Sequence, residues 1–293
     1  ILMRGPEKDA IVIRGAEGMQ LEVSDRKVYP EGSWKRWPFI RGVFNFFDSQ
    51  VVGVKALMRS ADLAPEEMQE EPSKFDQWLE KRLGSEAFQK ALVSIAVFMG
   101  LGLSILLFFL LPMTVASFFD GRITSVLGIN LLEGLIRMVI FLAYMFLVSR
   151  MKEMRRVFSY HGAEHKTIAC YEAGKPLTVE NVRPMCRFHP RCGTSFIIIT
   201  LLVSILVYSV VPITPELFKE LLHTGSDTVA IMLRTVCKLI LLPFVVGFAY
   251  ELIRLAGRHD NIVTRIFSAP GLWMQRITTK EPDDSMIECA IRA

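Results

Sequence analysis

Four long apolar runs constrain this chain more than any other feature. They lie at about residues 91–119, 126–148, 194–213 and 229–255. A helix needs about 20 apolar residues to cross a bilayer, and each run meets that length. Water-soluble cores rarely hold runs so long with so few charges. The expected fold class is therefore mainly α: a polytopic membrane protein with about four transmembrane helices and a small N-terminal β element. A hydrophobic content of 51% argues against disorder. A net charge of +4 is too small to point to nucleic acid. The odd count of five cysteines argues against a disulfide scaffold.

Basic residues in short connections orient such a chain. The connection from Arg150 to Cys192 carries nine Lys and Arg, whereas those near Arg122 and Lys219 carry one each. Lys74, Lys81, Arg82 and Lys90 precede the first run, and Arg254, Arg258 and Arg265 follow the last. Both termini and the second connection are thus expected in the cytoplasm, with the lipid bilayer as the surrounding partner. No signal peptide is visible, and because Ile1 is not an initiator methionine the start is expected upstream.

Outside the runs the chain divides further. Residues 1–33 read as a small cytoplasmic β element, because Ala10–Arg14 and Met19–Val23 alternate around a Gly15–Gly18 turn. Residues 34–60 read as an amphipathic helix that Pro38 can start. Its apolar positions include Phe39, Ile40, Val43, Phe44, Phe47, Val51, Val54 and Leu57, with Trp34 and Trp37 ahead of it. Such a helix lies in a membrane interface or packs on the small sheet. Residues 61–84 form an acidic linker, 85–257 a four-helix transmembrane domain, and 258–293 a polar cytoplasmic tail.

The loop at 150–193 holds the residues most suited to chemistry. Tyr160-His-Gly-Ala-Glu-His-Lys166 is predicted to be helical and continuous with the second span, with Gly174 as its C-cap before Pro176. On such a helix His161 and His165 share a face with Glu164. Two imidazoles one turn apart can bind one Zn²⁺, and a neighbouring carboxylate can accept a proton from water or act as a ligand. His189 and Cys192, on an irregular segment beside Pro190 and Gly193, can fold back to complete the set. Four ligands from His161, His165, His189 and Cys192 would close a zinc site, whereas three would leave a catalytic position. Cys186 is a further candidate ligand; Cys170, Cys237 and Cys289 read as packing or surface residues. His-x-x-Glu-His is also the inverted zinc-protease spacing, but Glu172 lies about 10 Å along the helix from His165, too far to supply the additional glutamate.

Charges also occur inside two spans. Glu133 and Arg137 are one turn apart in the second, and Arg234 and Lys238 in the fourth. They can meet between helices as a structural clamp, the favoured reading, or line a transport path.

At these residues the chain resembles the bacterial DUF1385 family of YqhQ-like membrane proteins. The matching stretches are Met3-Arg-Gly-Pro6, Glu133-Gly-Leu-Ile-Arg137, Tyr160-His-Gly-Ala-Glu-His-Lys166, His189-Pro-Arg-Cys-Gly-Thr-Ser195, Tyr250-Glu-Leu-Ile-Arg254 and the tail from Pro270 to Glu281. The resemblance implies a bacterial inner-membrane location, a Gly-rich segment upstream, and the metal-dependent activity ascribed to the family.

Three functions are compatible with this pattern. The first is a membrane-embedded metal-dependent hydrolase, with Zn on the His and Cys residues and Glu164 as catalytic base. The second is a non-catalytic biogenesis or scaffold factor docking a translocon or ribosome, its His/Cys cluster a structural staple. The third is a small transporter, which at four spans per chain would need a homo-oligomer.

Overall fold

The computed structural model describes residues 1–15, 18–63, 85–119, 121–123, 125–190, 192–211, 213–223, 225–256 and 261–293. It is mainly helical, with one small sheet at the N-terminus. The sheet is antiparallel, ordered β1 (Leu2–Arg4), β2 (Lys8–Gly15) and β3 (Gly18–Asp25). Gly15 pairs with Gly18 across the expected hairpin, whose two turn residues lie outside the described residues. Strand β1 is too short to show an alternating pattern, and sequence periodicity does not reveal it.

Helix α1 (Ile40–Asp62) begins two residues after Pro38 rather than at it. Phe39 adopts a positive φ of 66°, which a bulky residue tolerates only when its surroundings hold it there. Its ring stacks on Phe244 and Phe248, and its N–H reaches Glu251 at 3.2 Å. Arg41 pairs with the same carboxylate. A polar edge of α1 faces the sheet through Arg4–Asp48 at 2.6 Å and Arg59–Glu22 at 2.7 Å. Phe47, Val51, Val54 and Leu57 remain exposed. The helix therefore packs on Tyr250 and Gly247 at Gly42 and lies beside the sheet, with Ile40, Val43 and Phe44 half-buried and the later part of its apolar stripe open. The acidic linker falls outside the described residues beyond residue 63.

The first span, Ala91–Ser117, runs through α2 (Ser85–Ile105), a π-helical turn at Leu106–Leu110 and α3 (Leu111–Ser117). Pro112 lacks the N–H that would reach the Phe108 carbonyl in α-helical register. The Arg137 Nε donates to that carbonyl at 2.6 Å. The other spans are α4 (Val126–Val148), α7 (Gly193–Val210) and α9 (Asp227–Ala256). Each is long and apolar enough to cross a membrane, and helices satisfy their own backbone bonds in lipid. Ile199, Val203 and Tyr208 of α7 bury against Val245 and Ala249 of α9.

Between the second and third spans lie α5 (Lys152–Glu172) and α6 (Val179–Val182). Helix α5 is not continuous with α4. Met151 is extended, with ψ 140°, and restarts the helix after a turn at Ser149. Gly174 follows α5 at φ 65°, in the left-handed conformation expected of a C-terminal glycine. After a short α8 (Pro215–Leu222) and α9, the tail folds into α10 (Ile262–Thr278) and α11 (Asp284–Arg292). Ile287 and Ala290 of α11 bury against Ala163 and Cys170 of α5. The polar tail is thus a covering layer over the His-bearing helix.

Candidate metal centre

Helix α5 carries His161 and His165 one turn apart, as its period requires. Their rings meet edge to face, with centroids 4.4 Å apart. Cys192 caps the N-terminus of α7, its sulfur accepting the Thr194 N–H at 3.4 Å. One ligand atom from each of His161, His165 and Cys192 lies within 4.8 Å of the other two. His161 Nε2 is 3.2 Å from the Cys192 sulfur.

The imidazoles are held from behind. His161 Nδ1 lies 2.9 Å from the Thr278 carbonyl, and His165 Nδ1 lies 2.6 Å from that of Arg187. A carbonyl only accepts, so each Nδ1 carries a proton, and Nε2 remains for coordination when the ring is neutral. Backbone support of this kind fixes the tautomer and orientation of metal-binding histidines. Two imidazoles and a thiolate make a donor set suited to zinc.

The local electrostatics favour the thiolate. Burial opposes ionisation of Cys192, but hydrogen bonds from His161 and His165 outweigh it and bring its pKa down to about 5. Burial likewise opposes the cationic form of His161, yet its hydrogen bond to Cys192 and the thiolate charge raise it to about 9. The position of Cys192 at a helix N-terminus acts in the same direction. Glu164 is half-buried beside these groups. Burial lifts its carboxyl above the ordinary range against the pull of His161 and His165.

His189 takes a different place. Its ring centroid lies 5.9 Å from that of His165, and its Nε2 faces Glu172 at 3.2 Å. The three-ligand grouping among the described residues does not include it. Its backbone is clamped by Gln275, which accepts from the His189 N–H and donates to the His189 carbonyl, both at 2.7 Å. Gln275 also donates to Ser195 Oγ at 3.0 Å and is fully buried. Cys186 is exposed and accepts the Phe188 N–H. Cys170 and Cys289 are buried, and Cys237 is half-buried.

Sequence reasoning missed the contributions of Gln275 and Thr278, which lie 86 and 117 residues from their partners. It also missed the reason for Gly162, where a Cβ would run into the Lys280 carbonyl oxygen.

The charges inside the spans form a second cluster. Glu133 accepts from Arg137 at 2.7 Å, Arg234 at 2.7 Å and Lys238 at 2.6 Å. Arg234 also reaches Asn130 Oδ1 and the Ile213 carbonyl, each at 3.0 Å. The charges expected one turn apart on the two spans thus meet between helices, in one network around a single carboxylate.

Four span-length helices, a small sheet and a folded His/Cys layer beside the spans define a polytopic helical membrane protein. The chain belongs to the DUF1385 family. The model of that family, described as "Protein of unknown function (DUF1385)", matches residues 37–293. The chain is 33% identical over 265 residues to "Uncharacterized protein YqhQ" of Bacillus subtilis (strain 168), covering 88% of this chain and 76% of that protein. No solved structure matches it.

Proposed function

We propose that the chain is a membrane-embedded, metal-dependent hydrolase of the bacterial inner membrane with its site facing the cytoplasm. The convergence of His161, His165 and Cys192, with both Nδ1 atoms engaged by backbone carbonyls, carries this reading. Those three residues would hold Zn²⁺, which in such a site supplies Lewis-acid polarisation of a carbonyl or of water. Three protein ligands leave a coordination position for chemistry, whereas a structural staple needs four. His189, turned toward Glu172, steadies the loop. Glu164, with its raised carboxyl pKa, takes and returns the proton. The substrate is an ester or amide reaching the membrane surface. The basic connection from Arg150 to Cys192 supports the cytoplasmic orientation.

A second reading rests on the 3.2 Å His161–Cys192 contact and the depressed thiol pKa. It makes Cys192 a nucleophile paired with an imidazolium. The scaffold reading, with a translocon or ribosome as partner, draws on the folded surface outside the spans. The transporter reading draws on the Glu133 network, whose mutual pairing favours a clamp.

Metal analysis by mass spectrometry on detergent-purified protein tests the proposal. About one zinc per chain is expected, lost in His161→Ala, His165→Ala and Cys192→Ala but largely kept in His189→Ala. Metal-free wild type would overturn it. Selective alkylation of Cys192 in such protein would then support the nucleophile.

A further inference from the structure

A cavity of about 300 Å³ lies between the sheet, the start of α1 and the end of α9. Arg26, Lys27, Lys35, Arg36, Arg41 and Arg254 line it, and no carboxylate does. Glu251 pairs with Arg41, and Glu31 lies 4.0 Å from Arg36. Six cations therefore meet two carboxylates. Lys27 and Arg254 have no ion pair among the described residues. The Lys35 ammonium lies 4.7 Å from the Tyr29 ring centroid, and Tyr29, Asn45 and Tyr250 add polar groups to the wall.

Three observations place this cavity where a membrane has its headgroups. Tyr250 and Arg254 sit in the last turns of a span-length helix. Trp34 and Trp37 are exposed beside it, and tryptophan favours the membrane–water boundary. The adjoining α1 leaves Phe47, Val51, Val54 and Leu57 exposed along its length, as a helix lying in the interface does. An anion bound here would have its tails beside that apolar stripe.

We propose that this cavity binds the phosphate headgroup of an anionic phospholipid and so anchors α1 and the sheet to the inner leaflet. The inference is independent of the metal centre. Lys27 and Arg254, which have no ion pair among the described residues, supply the attraction; Arg41 is committed to Glu251 and positions the wall.

The test titrates phosphatidylglycerol or phosphatidylcholine into the detergent-purified full chain, read by native mass spectrometry and by Trp fluorescence. Wild type should prefer phosphatidylglycerol. Lys27→Ala with Arg254→Ala should weaken that binding about thirtyfold, at about 1 kcal/mol per cation. Phosphatidylcholine binding should not change, nor should either affinity change in Lys219→Ala. Thermal melting checks folding, and Lys27→Glu alone makes the same point at an exposed residue if the double variant unfolds. Equal binding of the two lipids by wild type would overturn the proposal, as would full retention of phosphatidylglycerol by a folded variant. Displacement of the lipid by inorganic phosphate at equal concentration would also overturn it, assigning the cavity to a soluble anion.

Discussion

Two of the chain's clusters of ionisable side chains are built in opposite ways. Around Glu133, three cations share the two oxygens of one carboxylate, and all four residues are 2–5% exposed. Around His161, the bonds point backward to carbonyls, and three donor atoms face one another. The first network closes on itself and holds α4 to α9. The second fixes orientation while keeping its coordinating atoms convergent. Buried polarity alone therefore does not mark a functional centre; a donor set that the surrounding backbone turns toward one common point is the better sign.

The sharpest way to break this comparison is Glu133→Gln. Removing the carboxylate charge leaves Arg137, Arg234 and Lys238 together without a counter-ion, and such losses cost about 3–5 kcal/mol. A large drop in the melting temperature of detergent-purified protein is expected. His161→Ala should shift it far less once metal has been removed by chelation. An E133Q variant melting with wild type would show that the Glu133 cluster is not a clamp.

Gln275→Ala comes next. It strips the fully buried contacts to the His189 backbone and to Ser195. The expected loss is about 1–3 kcal/mol for the groups left unpaired. Metal affinity should fall with it, because the loop between His189 and Cys192 loses its clamp. Chemical denaturation and a competitive zinc titration on the same variant separate the two effects. Unchanged zinc affinity in a destabilised Gln275→Ala would detach the loop from the site.

The sequence makes one half of each cluster readable. Periodicity puts His161, Glu164 and His165 on one face, and i,i+4 spacing pairs Glu133 with Arg137 and Arg234 with Lys238. Periodicity describes an element's own surface, however, and says nothing of what lies against it. The merger of two pairs into one network depends on how α4 meets α9. Thr278 reaches His161 through its carbonyl, which no side chain advertises. The break before α5 has no proline or glycine to mark it, so the helix reads as continuous through Met151. His189 looked equivalent to the other candidate ligands because composition places it nearby; the Gln275 clamp and Glu172 decide where its ring goes.

A smaller effect concerns the electrostatics of the centre. In chelated protein, Cys192 should react with iodoacetamide at a rate that rises through about pH 5 and is nearly level above it, followed by peptide mass spectrometry. His161→Gln should move that rise upward, since its hydrogen bond lowers the thiol pKa. The signs for stability follow. The lowered Cys192 value gives a contribution lost as pH falls through about 5, and the raised His161 value gives one lost as pH rises through about 9. The metal-free ion pair is therefore held between those limits. A rise in reactivity near the ordinary thiol range would mean that the two side chains do not form the pair.

The smallest effect separates packing from surface charge as the force that lays the tail over α5. Arg183 and Asp284 make a two-pronged pair at 3.0 and 2.6 Å, but both side chains are more than half exposed. Water and salt screen such pairs, and many contribute nothing measurable. Ile287 and Ala290 are nearly inaccessible, and the Lys280 N–H donates to the Phe158 carbonyl at 2.8 Å. Arg183→Ala should therefore leave both melting temperature and zinc affinity at wild-type values. Gly162→Ala, which drives a Cβ into the Lys280 carbonyl, should loosen the tail and expose it to limited proteolysis. If Arg183→Ala alone lowered zinc affinity, the exposed pair would be setting the position of Thr278 behind His161, and the centre would owe its geometry to surface charge rather than to buried contacts.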